Sequence, residues 1–320
     1  MGHAKCSDAA FIEQWKKYPS VAQMSRLLGT PSRCIQSRRR RLEVRYGLRL
    51  LARASNSPDV ILNIPQNAVR VTTALDDGIV IVGSDAHYAN TYVSTAHRAF
   101  VMIIKALQPK IVIYNGDVID GGSTSRHGRI GWDKQTTVKQ EYDAAQERTG
   151  EVAEAGGDAK RIWTMGNHCI RPDTWLSAHA AQFEGVKGFA LSDHFPLWQF
   201  CMSVFINGHT MIKHRYHGGV HCTWNNILKA GTSMVCGHTH SQKVTPFNDL
   251  TPHTKYGVDL GMLAAVEGEQ FRYAEDNPKN HRSGFAVLTF RKGVLMPPEL
   301  VQVIDEDEGL VNFRGSTFNV

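Results

Sequence analysis

The sequence predicts an α/β domain preceded by a small all-α domain. Four runs of β-branched and apolar residues, such as 79–82 and 111–115, each end in a short polar turn, which is typical of buried strands. An amphipathic helical segment, Thr95–Leu107, lies between the first two runs, and this order favours parallel strands joined by a crossover helix. The first 45 residues contain only short helical patterns separated by Pro and Gly.

Composition places the chain among ordinary globular proteins of one or two domains. It has 320 residues, of which 42% are hydrophobic and 21% charged. No run approaches the roughly 20 apolar residues of a membrane helix, and the N-terminus has no apolar secretory core. The six cysteines form no C-x-x-C pair, which argues against a disulfide framework and a zinc ribbon. We therefore expect a cytoplasmic protein with no membrane partner.

Charge is distributed unevenly along the chain. Residues 1–53 hold twelve Lys or Arg and three Asp or Glu, whereas the remainder holds 24 basic and 27 acidic residues. A basic segment attached to a mildly acidic body predicts that residues 1–53 meet a polyanion.

The basic segment contains three predicted helices. The first covers 8–17, the second follows Pro19–Ser20 and covers 21–28, and the third runs from Ser32 to about Leu42. The stretch PSVAQMSRLLGTPSRCIQSRRRRL resembles the helix-turn-helix of many phage and bacterial DNA-binding proteins, which implies a nucleic-acid partner for 1–53. Consecutive arginines point in different directions and suit phosphates better than bases. The alternative is a solvated face or a helix that only supports the rest of the chain.

Residues 54–75 are predicted to form a linker and a first strand, and 76–320 the second domain. The linker is rich in Ser, Asn and Pro up to Pro65. Further along, the patterns predict helices at 134–155, 174–182 and 224–230, and strands at 161–165, 200–207, 209–214, 234–236, 243–247, 256–262, 284–290 and 301–304.

The polar turns after the apolar runs share one chemistry. They supply Asp, Asn and His, mostly just after a Gly: Asp85, His87, Asp117, Asn167, a His near 217, His238 and His240. Such side chains suit divalent manganese, iron, zinc or nickel. Seven ligands are too many for one ion and suit two ions that share a bridging carboxylate.

These motifs resemble those of the calcineurin-like metallophosphoesterase family. D-x-H, G-D-x-x-D, G-N-H, H-G and G-H-x-H occur in that order, and the resemblance covers about residues 76–295. The phage and prophage branch is the most similar, through GDVIDGGSTSRH and GNHCIR. The resemblance implies a four-layer β-sandwich flanked by helices, and two divalent ions, manganese first and iron, zinc, nickel or magnesium as alternatives.

The resemblance also implies a role for each motif residue. The first ion would be held by Asp85, His87 and His240, both ions by Asp117, and the second ion by Asn167, His217 and His238. His168 would face the phosphate as general acid or charge stabiliser, oriented by Asp120. His214 and His221 stay open as alternatives to His217.

Four further positions near the motifs have two interpretations each. Arg126, His127 and Arg171 follow metal motifs and either clamp the substrate phosphate or form surface salt bridges. Cys169 stands where the family commonly has an acid, and it is either a small packed residue or a reactive thiol.

The sequence thus predicts a metal-dependent phosphoesterase that acts on nucleic acid, as a nuclease, phosphodiesterase or DNA-end phosphatase. One alternative is a phosphatase or phosphodiesterase for phosphoproteins or small nucleotides. Another is a DNA-binding regulator whose second domain has lost catalysis. If the chain is phage-encoded, the expected location is the cytoplasm of the bacterial host.

Overall fold

The computed structural model describes residues 6–18, 20–46, 50, 70–89, 92–127, 136–274, 276–277 and 279–320. Contacts divide the chain into two compact units, Met1–Ala68 and Val69–Val320, which are described separately. The predicted linker up to residue 69 and its boundary at 53 lie outside the described residues. Among the residues that are described, no helix is long and apolar enough to cross a membrane.

The first unit contains three helices, α1 (Asp8–Lys17), α2 (Val21–Leu28) and α3 (Ser32–Tyr46). The Ser7 side chain caps α1 by accepting a hydrogen bond from the Ala10 amide, and Gly29 ends α2 in the left-handed conformation. Their shared core consists of Phe11, Trp15, Met24, Ile35, Leu42 and Leu50. The three helices lie where the sequence predicted them, and α3 continues past the predicted end.

The second unit contains fifteen described strands and four described α-helices. The strands are β1 (Arg70–Thr73), β2 (Gly78–Gly83), β3 (Ile111–Asn115), β4 (Lys160–Thr164), β5 (Gln199–Cys201), β6 (Ser203–Ile206), β7 (Thr210–Ile212), β8 (Ser233–Cys236), β9 (Lys243–Phe247), β10 (Lys255–Asp259), β11 (Gly284–Arg291), β12 (Val294–Leu295), β13 (Glu299–Asp305), β14 (Leu310–Phe313) and β15 (Ser316–Asn319). The helices are α4 (Thr95–Leu107), α5 (Val138–Gly156), α6 (Arg171–His179) and α7 (Cys222–Ala230).

The strands form two sheets. One has the order β1-β6-β7-β8-β10-β9, and the other has the order β15-β14-β13-β11-β2-β3-β4-β5, with β12 added on β11. Strands β2, β3, β4 and β5 run parallel, as do β7, β8 and β10. Parallel neighbours bring their carboxyl ends to the same edge of each sheet.

Alternating side chains place the two sheets face to face. Val80 and Val82 pack with Val204 and Val235 of the other sheet, whereas Ile81 points the opposite way and packs under α4 and α5. On the far side of the six-stranded sheet, α7 lies so close to β10 that a Cβ on Gly257 would meet the Thr223 carbonyl oxygen. The unit therefore has four layers, helix, sheet, sheet and helix, and the α/β prediction is confirmed.

Two predicted elements differ from the structure. The strand predicted at 200–207 is two strands in different sheets, because β5 pairs with β4 while β6 pairs with β1. The helix predicted at 174–182 begins at Arg171 instead, since Pro172 occupies its first turn, where the missing N–H is not needed.

Candidate metal centre

The turns that follow the strands bring together three groups of three potential metal ligands among the described residues. Asp85, His87 and His240 form the first, Asp117, His214 and His238 the second, and His87, Asp120 and His168 a third that shares His87 with the first. Within each group the ligand atoms lie within 4.8 Å of one another. We call the first two groups the metal centre. They adjoin each other, because the His214 Nε2 lies 2.9 Å from Asp117 Oδ2 and 4.0 Å from Asp85 Oδ1.

The backbone of the metal centre is left-handed at most of its ligands. Among the described residues, nine other than glycine have a positive φ, and five of them are ligands of the centre: Asp85 (53°), His87 (44°), Asp117 (49°), His238 (71°) and His240 (54°). This conformation is unfavourable for residues with a Cβ and concentrates at functional sites. It turns the chain sharply after each strand, so that the side chains converge.

Three glycines of the motifs permit this convergence. A Cβ on Gly166 would overlap Asp117 Oδ1, one on Gly116 would overlap the His214 ring, and one on Gly237 would overlap Asp85 Oδ2. Real Cβ atoms do not approach so closely. Each of these three glycines is therefore required, because a ligand that follows another strand lies where a Cβ would be.

The two carboxylates of the centre are buried and ionised. Asp85 Oδ1 lies 3.0 Å from His240 Nε2, and Asp85 Oδ2 accepts hydrogen bonds from Ser84 Oγ (2.5 Å) and from the His238 amide (2.9 Å). Burial raises the pKa of Asp85, but the charges of His240 and His214 outweigh it and hold this pKa far below its usual range. In the same way, His214 lowers the pKa of Asp117 to about 2 against the effect of burial.

His214 occupies the place that the sequence analysis expected of His217. Its Nδ1 donates a hydrogen bond to the Asn115 carbonyl oxygen (2.7 Å), which directs Nε2 at Asp117 and fixes the ring as metal-binding histidines are commonly fixed. His217 is in none of the ligand groups of the described residues. Its amide donates to Asn226 Oδ1 (2.9 Å), and its ring packs on Tyr216. The alternative His221 lies directly before α7.

The donor set fits divalent cations. Within the described part of the chain, His87 Nε2 and Asn167 Oδ1 are buried and have no hydrogen-bond partner. Leaving a buried polar group unsatisfied costs about 1–3 kcal/mol each, and a cation would satisfy both. Carboxylate, imidazole and amide donors suit manganese, iron, zinc or nickel. Asn167, a predicted ligand, thus offers a free oxygen in the buried interior.

His168 and Asp120 lie at the side of the centre. Asp120 Oδ1 accepts a hydrogen bond from Nδ1 of His168 (2.8 Å) and lies 3.1 Å from Nδ1 of His87. Arg171 donates to the Asp120 carbonyl oxygen (2.8 Å), and its guanidinium lies 3.2 Å from His168 Nε2. Burial lowers the pKa of His168, but the hydrogen bond to Asp120 and the charge of Asp117 outweigh it, so this pKa is raised.

The three remaining predicted positions differ in burial: Arg126, His127 and Cys169. Arg126 and His127 are exposed, and the described contacts bring neither side chain to the metal centre. Cys169 is buried, accepts a hydrogen bond from the Val118 amide (3.3 Å), and burial raises the pKa of its thiol to about 12. A thiol with that pKa is inert at neutral pH, in keeping with a packed residue.

One histidine near the centre was not singled out from the sequence. The His281 ring lies 4.7 Å from the His240 ring and 5.2 Å from Phe271. Its buried Nδ1 has no hydrogen-bond partner among the described residues, and burial lowers the pKa of its imidazole to about 4. No motif surrounds it, so nothing in the sequence distinguishes it from the other histidines.

Comparison with known proteins gives distant relatives from phages. The chain is 28% identical over 233 residues to the Gene 54 protein of Mycobacterium phage L5, covering 65% of this chain and 87% of that protein. It is also 28% identical over 229 residues to the Gene 54 protein of Mycobacterium phage D29, with the same coverage. No protein-family model matches the sequence.

Among solved structures, a dimetal phosphatase from Danio rerio is similar to 77% of this chain and 99% of its own, at 12% sequence identity and a TM-score of 0.35. At that TM-score the likeness is too weak to bear on fold or chemistry.

Proposed function

We propose that the protein is a metal-dependent phosphoesterase that uses two divalent cations. The observation that carries this proposal is the adjacency of the two ligand groups, Asp85 with His87 and His240, and Asp117 with His214 and His238. Two groups of hard and borderline donors side by side are the arrangement expected of a two-metal hydrolytic site.

Each ligand group would hold one ion. One ion would be held by Asp85, His87 and His240, and the other by Asp117, Asn167, His214 and His238. When bound, two such ions activate water and neutralise charge on a phosphoryl group in displacement. The Nδ1 of His168 is bonded to Asp120 and its pKa is raised, so His168 would supply a proton to the leaving oxygen from Nε2. Arg171 adds a fixed positive charge beside it.

The phosphoesterase proposal is tested with the full chain loaded with Mn²⁺. We expect it to hydrolyse p-nitrophenyl phosphate or bis(p-nitrophenyl) phosphate, and Asp117→Asn to lower the rate at least about 10³-fold, because the carboxylate ligand of one ion is lost. The matched control is Asp249→Asn on the surface, where Asp249 pairs with Lys255. Wild-type turnover in Asp117→Asn, with its metal content unchanged, would refute the proposal.

We propose further that the substrate is nucleic acid bound through helix α3. Arg38 and Arg39 are engaged within the first unit, since Arg38 pairs with Asp8 (3.0 Å) and Arg39 with Glu43 (3.6 Å). One exposed face of α3 remains, spaced as successive helical turns: it carries Arg33, Gln36, Ser37, Arg40 and Arg41. This face offers cations for phosphates and amide and hydroxyl groups for base edges.

Salt dependence separates this proposal from a merely solvated face. In duplex DNA binding measured by fluorescence anisotropy, Arg40→Ala with Arg41→Ala should weaken affinity and flatten the plot of log affinity against log salt by about 0.9 per lost phosphate contact. Arg291→Ala, an exposed arginine of the second unit, is the control and should change neither. An unaltered slope in the double variant would rule out α3 as the contact.

The phage relatives support a phage-encoded protein that acts in the cytoplasm of a bacterial host. A phosphatase for phosphoproteins or small nucleotides has the same chemistry, and a panel with single-stranded and duplex DNA, a phosphopeptide and nucleotides separates them. The complete ligand groups speak against a regulator that has lost catalysis.

A further inference from the structure

A cavity of about 490 Å³ lies in the second unit, between segments that follow Asp120 and His168 in the chain. Its walls come from the turn at Gly122–Thr124, from α5 and α6, and from residues 188–194. The lining is mainly apolar, and it includes Val138, Tyr142, Pro172, Trp175, Leu176 and Phe189. We call it the aromatic cavity. Its volume lies in the range of pockets that bind small organic ligands.

Two walls of the aromatic cavity are joined in sequence to residues beside the metal centre. Helix α6 begins at Arg171, which contacts His168, and presents Pro172 and then Trp175 to the cavity one turn further on. Thr124, on another wall, lies four residues after Asp120. A molecule whose phosphate lay at His168 would therefore have its neighbouring group on the side where α6 begins.

Aromatic rings of this region face solvent. Six of the 17 large apolar side chains that are exposed in the described part of the chain fall within 170–197, namely Ile170, Trp175, Phe183, Val186, Phe189 and Leu197. Trp175 is 44% exposed and stacks on the His179 ring (4.6 Å), and the Phe183 and Phe189 rings stack 4.8 Å apart. Apolar surface concentrated in this way marks a binding site, and exposed flat rings are suited to stacking on another flat ring.

The polar edge of the aromatic cavity presents acceptors. Asp143 and Gln146 lie three residues apart on α5 and both line the cavity. Lys139 Nζ bonds Asp143 Oδ2 (2.5 Å), and Gln146 Nε2 donates to the His194 carbonyl oxygen (3.0 Å). The other oxygens, Asp143 Oδ1 and Gln146 Oε1, accept no hydrogen bond from the described residues. They would pair with N–H donors of a ligand.

We infer that the aromatic cavity binds a nucleobase with an exocyclic amino group, so that the substrate is a nucleotide or the unpaired end of a nucleic-acid strand. A base offers a flat face to Trp175 and amino hydrogens to Asp143 and Gln146. A phosphotyrosine ring would fit the apolar wall but has no N–H for the acceptors. The inference rests on the proposed function, because it places the phosphate of the same molecule at the metal centre.

The test measures binding rather than turnover. Titration calorimetry of the Mn²⁺-loaded full chain compares 5′-AMP with ribose 5-phosphate, which share the phosphate and differ in the base. We expect 5′-AMP to bind about 5- to 150-fold more tightly, the range that stacking of one base provides, and 5′-UMP, which has no exocyclic amine, to bind more weakly than 5′-AMP.

Two tryptophans serve as matched variants. Trp175→Ala should abolish the preference for 5′-AMP and leave ribose 5-phosphate binding unchanged, while Trp175→Phe should retain most of the preference. Trp224→Ala removes a tryptophan that is also 44% exposed but lies on α7, and it should leave the preference intact. Retention by Trp175→Phe shows that the loss in Trp175→Ala is not a folding defect.

Three results would overturn the inference: equal affinities for 5′-AMP and ribose 5-phosphate, equal affinities for 5′-AMP and phosphotyrosine, or a full preference retained by Trp175→Ala. The proposed function fails separately. Adenosine has no phosphate, so its binding in wild type and loss in Trp175→Ala, in a protein that hydrolyses no phosphoester, would support the cavity and refute the enzyme. Hydrolysis without any preference for 5′-AMP would do the reverse.

Discussion

The metal centre and the aromatic cavity are built from different kinds of backbone. The centre is held by sharp turns after strands, with five left-handed ligands and glycines that touch ligands of other strands. The cavity is lined largely by side chains on regular helices. A side chain on a helix face can be exchanged without moving the backbone, whereas a residue in a strained turn cannot.

This difference in backbone indicates that the two regions have different roles. If the proposed function holds, the ligands, which are fixed by the backbone, would act on any phosphoester that reaches them. The cavity is fixed only by its side chains, so it would discriminate between the groups attached to the phosphate. Changes in the centre should lower the rate for every substrate alike, and changes in the cavity should alter the ranking of substrates.

The largest effect within this comparison is expected for His168→Gln. His168 lies beside the ligands with its Nδ1 bonded to Asp120 (2.8 Å), so its loss removes a proton donor and leaves the two ligand groups complete. The rate should fall about 10²- to 10⁴-fold, by the same factor for bis(p-nitrophenyl) phosphate and for a nucleotide substrate. Metal content, measured by plasma mass spectrometry, should stay at the wild-type level.

His253→Gln, on a surface bend, is the control for the His168 variant and should behave as wild type. Parallel loss of metal and activity in His168→Gln would make His168 a ligand. Factors that differ between the two substrates would mean that His168 belongs functionally to the cavity.

Glu141 connects the two regions and should make stability depend on pH. Its buried carboxylate accepts hydrogen bonds from the amides of Gly121 (2.6 Å) and Gly122 (3.3 Å) in the turn between centre and cavity. Burial raises the pKa of Glu141 to about 7, opposed by the Gly121 amide. In the unfolded chain the group ionises at about 4.3. Between these values the unfolded state has already lost the proton that the folded state keeps, so a rise in pH favours unfolding.

Glu141→Gln keeps the shape of the neutral carboxyl and removes this titration. In urea unfolding of the metal-free protein, wild type and variant should differ equally at pH 4 and below. From about pH 4.5 to 7 the wild type should lose about 3 kcal/mol relative to the variant, and the difference should be constant above pH 7. Parallel stability curves over the whole range would show that Glu141 is ionised when folded.

The strand ends show how much of the site could be predicted from the sequence. Asp85, Asp117 and His238 each follow a short apolar run and a small residue. The local sequence alone therefore predicts both the strand and the turn. Parallel pairing brings the turns after β2, β3 and β4 to one edge of their sheet, so the motifs of Asp85, Asp117 and Asn167 could be assigned to a single site from their pattern. His238 follows β8 of the other sheet, and it was assigned to the site from the resemblance of its motif. The crossover helix α4 between β2 and β3 was also predicted, because parallel neighbouring strands need such a connection.

His214, the aromatic cavity and Glu141 could not be predicted in the same way. His214 and His217 lie three residues apart after β7, and only the contact with Asn115, 99 residues away in sequence, selects which ring points inward. The walls of the cavity come from four segments whose apolar residues are indistinguishable in sequence from core residues. The division of 200–207 between two sheets likewise depends on pairing with β1 and β4, not on local pattern.

The smallest expected effect contrasts a strained glycine with an ordinary one. In Gly166→Ala the added methyl would overlap Asp117 Oδ1 and lie 2.5 Å from the Asp117 nitrogen, so ligand and backbone must shift. Overpacking of this kind costs about 1–3 kcal/mol of unfolding free energy, and metal content should fall with it.

Gly150→Ala is the matched change inside α5, where a Cβ meets nothing within 4 Å, and it should stabilise by about 0.5–1 kcal/mol. Both are measured by urea unfolding of the metal-free protein. If Gly166→Ala were as well tolerated as Gly150→Ala, the turns of the centre would be as adaptable as the helices of the cavity, and the distinction between a fixed centre and an exchangeable cavity would be lost.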